Sequence, residues 1–212
     1  MTGQGPVPSR VPVVNIANGL TVSRLLLVPV FVVALFADGG AGVGWRIAAA
    51  VVFGVASITD RLDGDIARRR GLVTDFGKIV DPIADKALTG SALVGLSVLG
   101  ELQWWITVLI LAREVGVTLL RFWVIRHGVI PASRGGKTKT FVQTIAIGLY
   151  LLPLPAVLDP LLWTVMAIAL VLTVVTGADY VARALRLRTR ARRALAVPPA
   201  VEQRPAAGTE PA

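Results

Sequence analysis

The sequence predicts an all-α integral membrane protein of six transmembrane helices, both termini cytoplasmic, preceded by a short juxtamembrane segment. Three observations carry this expectation. Of 212 residues, 54% are hydrophobic and only 17% charged, giving a mean hydropathy of +0.70. Six apolar stretches come near the roughly 20 residues that cross a bilayer. Basic residues then alternate from one connection to the next: segments 1–19, 61–80, 125–140 and 183–212 hold seventeen of the 22 lysines and arginines, whereas 37–45, 100–103 and 152–160 hold none. That asymmetry places the basic connections in the cytoplasm.

Residues 1–19 form the juxtamembrane segment. The first span, Leu20–Phe36, starts too late and is too long for a signal peptide, and no small-residue cleavage site follows it. The second, Arg46–Arg68, has only about 14 strictly apolar residues after Arg46, so it must run on through Asp60 and Asp63 to complete a crossing. The third, Gly77–Leu99, contains Pro82, which requires the helix to begin near Asp81 or to kink there. The fourth, Trp104–Ile125, carries Arg113 and Arg121; the basic connection 125–140 follows. Phe141–Leu158 and Leu161–Arg183 complete the set, so the six-helix domain covers 20–185. From Arg186 to Ala212 the chain is rich in Ala, Pro and Arg and reads as a basic, disordered cytoplasmic tail. Trp45, Trp104 and Trp105 fall where an aromatic belt is expected at the outer interface.

The net charge of +9 and pI near 11.2 would ordinarily suggest nucleic acid. Membrane topology accounts for most of that charge, so the expected surface partner is the lipid bilayer and no nucleic acid is required. Without cysteine the chain has no disulfide, thiolate metal site or Cys nucleophile, and His127 is its only histidine. Any metal must therefore sit on oxygen, and a general base is expected to be a carboxylate.

Six of the thirteen acids, Asp60, Asp63, Asp65, Asp75, Asp81 and Asp85, are packed into 26 residues. Asp60 and Asp63 are spaced i,i+3 and Asp81 and Asp85 i,i+4, so each pair lies on one helix face. In an antiparallel hairpin Asp60 comes level with Asp85 and Asp63 with Asp81. At 1.5 Å rise per residue all four lie within about 12 Å of the cytoplasmic helix ends. Four carboxylates at that depth must share protons, pair with bases or hold cations. Hard oxygen donors favour Mg²⁺, Mn²⁺ or Ca²⁺, and four carboxylates suit a two-ion site. The plainer alternative is pairing with Arg68, Arg69 and Arg70. Gly64, Ala67 and Gly77 give room for a ligand or for helix packing.

Arg113 and Arg121 are cations within a span, and Lys137 and Lys139 lie beyond its cytoplasmic end. Together they can bind a phosphate. The alternative pairs Arg113 with Glu114 and lets Arg121 reach the interface. Arg24 and Asn18 either line the site entrance or anchor the first helix at the interface, and anchoring is the better reading.

The string Asp60-x-x-Asp63-Gly64-x-x-Ala67-Arg68, then eight residues, then Gly77-x-x-x-Asp81-x-x-x-Asp85 resembles the full signature of the CDP-alcohol phosphatidyltransferases, membrane enzymes of six helices. The resemblance implies transfer of a phosphatidyl group from CDP-diacylglycerol to an alcohol in phospholipid biosynthesis, with release of CMP. It implies that Asp60, Asp63, Asp81 and Asp85 ligate Mg²⁺ or Mn²⁺, two ions in all, and that Asp85 is also the general base. Asp63, Gly64, Ala67, Arg68 and Gly77 would form the CDP-donor site.

Asn15-Ile16-Ala17-Asn18-Gly19-Leu20-Thr21 with Arg24, Ala112-Arg113-Glu114 with Arg121, and Gly136-Lys137-Thr138-Lys139-Thr140 with Gln143 resemble the family branch whose acceptor is glycerol 3-phosphate. On that resemblance Arg113, Arg121, Lys137 and Lys139 bind the acceptor phosphate, and the enzyme is a homodimer of the cell membrane with its site facing the cytoplasm. The rival readings are a family member with inositol phosphate or phosphatidylglycerol as acceptor and, from another class, a membrane cation transporter.

Overall fold

The computed structural model describes residues 16–70, 75–124 and 134–196; side-chain surroundings are described for 19–60, 80, 83–120, 136–187 and 189. Among these residues the chain is all helical. Its six helices are α1 (Ile16–Phe36), α2 (Val43–Arg70), α3 (Asp75–Val98), α4 (Trp104–Val124), α5 (Arg134–Leu151) and α6 (Asp159–Ala196), with 3-10 turns at Ala37–Gly40 and Ala156–Leu158. Three stretches are long and apolar enough to cross a membrane by length and composition: Gly19–Gly40, Val43–Asp60 and Ala156–Leu187.

Many large apolar side chains face outward, among them Leu26, Val33, Val51, Ile58, Val108, Leu119 and Val175. An apolar exterior of this extent suits lipid rather than water. Inside, Phe31, Leu35, Phe53, Leu93, Leu96, Ile110, Ile147 and Met166 form one cluster with small residues between them, including Ala49, Ala56, Ala92, Ala146 and Ala169. Small side chains let helix backbones approach closely. At the contact between α1 and α3, a Cβ on Gly95 would stand 2.4 Å from Leu35 Cδ2, so a larger residue there requires the Leu35 side chain to shift. Helix α1 packs on α2 and α3, α4 and α5 both pack on α6, and α2 and α3 each touch α5.

Several boundaries differ from expectation, for local reasons. Helix α5 begins at Arg134 and ends at Leu151, seven residues earlier at each end than the apolar stretch suggests. Pro153 and Pro155 prevent continuation beyond Leu152, and the 3-10 turn takes up Ala156–Leu158. The Gly136–Thr140 stretch, expected in a connection, is therefore in the first turns of α5. Helix α3 starts at Asp75 and runs through position 82. Helix α6 continues to Ala196, so residues 186–196 are helical where a disordered tail was expected; 197–212 lie outside the described residues.

The turn from α3 to α4 closes on Gly100, whose φ of +76° suits glycine. Its N–H bonds Ser97 O at 3.2 Å and the Glu101 N–H bonds Leu96 O at 2.9 Å, the paired pattern that ends a helix with its last carbonyls satisfied. Beside it, buried Arg46 at the start of α2 donates from Nε to Leu151 O (3.1 Å), from Nη2 to Tyr150 O (2.8 Å) and from Nη1 to Glu101 Oε1 (2.8 Å). Arg46 thus caps the C-terminus of α5, whose last carbonyls have no partner within the helix.

Candidate active site

The opposite end of the bundle, where α2 finishes and α3 and α5 begin, gathers the charged side chains. Arg24 on α1 is fully buried, and its Nη1 lies 2.5 Å from Asp60 Oδ1 on α2. Arg24 was expected to anchor α1 at the membrane interface. Its burial and its bond to Asp60 correct that reading: the guanidinium turns inward because a carboxylate on the neighbouring helix meets it there.

Asp85 on α3 lines a cavity of about 130 Å³ between α3, α4 and α5, shared with Lys86, Glu114, Lys139 and Gln143. Among the described residues, the charges within electrostatic range of Asp85 include Asp60, Glu114, Lys86, Arg24 and Lys139. Asp60 and Asp85, expected on one level of two facing helices, thus belong to one charged cluster. Asp63, Gly64, Ala67 and Arg68 fall on α2, Gly77 and Asp81 on α3 and Arg121 on α4; their side chains lie outside the described residues.

The basic residues expected to bind a phosphate divide into two groups. Lys139 is buried and donates from Nζ to Glu114 Oε1, and Arg113 Nη1 donates to the same oxygen at 3.1 Å. Arg113 Nη2 donates to Thr176 Oγ1 of α6 at 2.9 Å. Gly177, one residue on, leaves space for the arginine stem, since a Cβ there would meet Arg113 Cγ at 3.1 Å. Arg113 and Lys139 are therefore brought together by Glu114. Lys137, by contrast, is exposed and outside the cavity wall, because two residues along a helix turn a side chain to another face.

Two site residues carried weak signals in the sequence. Glu114 was legible as part of the Ala112-Arg113-Glu114 stretch and as an alternative partner for Arg113, and it joins both cations. Gln143 was legible only as part of a recurring stretch; it is four residues beyond Lys139 on the same face of α5, and only 4% exposed.

The cluster has the parts for group transfer to a hydroxyl: a carboxylate at a cavity wall, two cations within reach of one oxygen, and a second carboxylate oriented by arginine. Comparison with known proteins agrees. The family model for CDP-alcohol phosphatidyltransferase matches residues 14–175. A Mycobacterium tuberculosis protein named "Probable phosphatidylglycerophosphate synthase" is 59% identical over 182 residues, covering 86% of this chain and 87% of that one. Bacillus subtilis and Escherichia coli proteins, each named "CDP-diacylglycerol--glycerol-3-phosphate 3-phosphatidyltransferase", are 37% identical over 179 residues and 38% over 140, covering 78% and 63% of this chain and 93% and 74% of theirs. The family is generally dependent on divalent metal. This chain belongs to the CDP-alcohol phosphatidyltransferase family, as a membrane-spanning helical transferase.

Proposed function

We propose that the chain is a phosphatidylglycerophosphate synthase, transferring the phosphatidyl group of CDP-diacylglycerol to glycerol 3-phosphate with release of CMP. The observation that carries this reading is the cavity that Asp85 shares with Lys139, where a carboxylate that can take a proton and a cation that can hold a phosphate face one small space. The names of the relatives point to the same donor and acceptor.

In this reading Lys139 and Arg113 bind the acceptor phosphate, exchanging part of their contact with Glu114 for the ligand's oxygens. Held there, the acceptor presents its 1-hydroxyl to Asp85, which accepts the proton. The hydroxyl oxygen forms a bond to the diacylglycerol-bearing phosphorus as the bond from that phosphorus to the CMP oxygen breaks, and CMP leaves with the electron pair. The acceptor hydroxyl is itself the nucleophile, so the transfer is direct. Arg121 and Lys137 extend the basic surface by which the anionic acceptor approaches.

Asp60, Asp63, Asp81 and Asp85 would hold Mg²⁺ or Mn²⁺, two ions in all. The donor set fits such ions, being carboxylate oxygen alone, and Arg24 orients Asp60 as a residue behind a ligand does. Bound there, divalent ions neutralise pyrophosphate charge and stabilise the departing CMP phosphate. Asp63, Gly64, Ala67, Arg68 and Gly77 form the donor site around the CDP moiety. The alternating basic connections support six spans in the cell membrane with the site and both termini on the cytoplasmic side, and the family resemblance supports a homodimer.

An acceptor panel tests this reading. Purified protein in detergent with CDP-diacylglycerol and Mg²⁺ or Mn²⁺ should release CMP with glycerol 3-phosphate, and not with inositol phosphate, serine, phosphatidylglycerol or no acceptor. Preference for another acceptor would leave the family intact and overturn the specific substrate. Ion flux without CMP release would favour a transporter.

A further inference from the structure

Gln143 is the neutral polar side chain that the cavity leaves with bonding capacity to spare. It is 4% exposed, it lines the same wall as Asp85, Glu114 and Lys139, and its Oε1 has no hydrogen-bond partner among the described residues. Two hydroxyls beside it on α5 are engaged as donors: Thr140 donates to Gly136 O at 3.1 Å and Thr144 to Thr140 O at 2.9 Å. A buried amide without a partner is costly to maintain, and that cost is recovered when a ligand supplies the missing group.

The kind of group follows from chemistry. The charged residues of the cavity suit a phosphate and a proton leaving a hydroxyl. A carboxamide both donates and accepts in fixed directions, which suits a neutral hydroxyl. Glycerol 3-phosphate, the acceptor of the proposed function on which this inference rests, has one hydroxyl that neither reacts nor carries the phosphate. Lys139 and Gln143, four residues apart on α5, lie on one face about one helical turn from each other and line the same cavity, so one small acceptor can meet both side chains. We propose that Gln143 binds the 2-hydroxyl of the acceptor, and so makes the enzyme specific for a vicinal diol phosphate over a simple hydroxyalkyl phosphate. Rejection operates because an acceptor lacking that hydroxyl leaves the amide unpaired.

The test compares glycerol 3-phosphate with 3-hydroxypropyl phosphate, its 2-deoxy analogue, using full-length protein in mixed micelles with CDP-diacylglycerol. Wild-type protein should use the analogue with kcat/KM lower by about tenfold or more, chiefly through KM. Gln143→Met should lower kcat/KM for glycerol 3-phosphate toward the analogue's value while changing the analogue by less than about twofold. Equal use of both acceptors by wild-type protein overturns the assignment whether or not the variant folds. Retained discrimination in folded Gln143→Met also overturns it. Absence of any CMP release with glycerol 3-phosphate would instead refute the proposed function, and this assignment with it.

Discussion

Two arginine networks, at opposite ends of the bundle, use the same chemistry for different ends. At the end where α2 starts, each of the three guanidinium nitrogens of Arg46 donates, to Leu151 O, Tyr150 O and Glu101. At the other end, Arg113 and Lys139 converge on one Glu114 oxygen beside a cavity, with Gln143 Oε1 unmatched nearby. The first network holds a helix terminus; the second concentrates positive charge on a single acceptor beside the cavity that Asp85 lines. A satisfied polar network rigidifies, whereas one with capacity to spare can exchange partners with a ligand. Burial of a charged side chain alone therefore does not mark a site in this molecule.

The sharpest way to test that contrast is to remove one function from each end. Asp85→Asn should lower the rate of CMP release by roughly 10²- to 10⁴-fold, the range expected for a general base, with the thermal unfolding of the detergent-solubilised protein little changed. Full turnover by that variant would sink the role given to Asp85. Arg46→Met should do the reverse, destabilising the fold by about 3 kcal/mol, since Glu101 and two helix-end carbonyls lose their partner. Activity per folded molecule should survive, as read by a lowered unfolding midpoint beside unaltered kcat and KM.

Smaller effects refine the comparison. Glu114→Gln weakens the anchor shared by Arg113 and Lys139, and should change KM for glycerol 3-phosphate by about tenfold while kcat moves less; equal losses in both would place Glu114 in the chemistry. Gly177→Ala presses on the stem of Arg113, 3.1 Å from where the new Cβ stands, and should cost a few-fold in KM. Glu101→Gln should have the least effect, within about 1 kcal/mol of stability, because the Glu101 side chain is 46% exposed.

Helix existence was more legible in the sequence than helix position. Continuous apolar runs mark α1, the first part of α2 and α6 with little ambiguity. The ends of α5 were displaced because Gly135, Gly136 and two lysines resemble a connection, while the block by Pro153 and Pro155 lies inside an apolar run. The spacing of Asp60 and Asp85 led to the expectation that they face each other across two helices, and the two carboxylates lie within electrostatic range. Arg24 was misread, because a lone arginine near the start of an apolar stretch carries no local sign of the carboxylate that will face it from 36 residues away. Partners of that kind are properties of packing. Glu114 shows the same limit: its neighbour Arg113 is visible in sequence, while Lys139 reaches it only across two helices.

The clasp made by Arg46 also bears on how the chain assembles as it is synthesised. Its two carbonyl partners, Tyr150 and Leu151, follow it by 104 and 105 residues. When α1 and α2 first pair, that guanidinium has neither of them, and it acquires them only after three further helices have been made. The loop tying α2 to α5 therefore closes late, as a latch fastened once the intervening helices are in place.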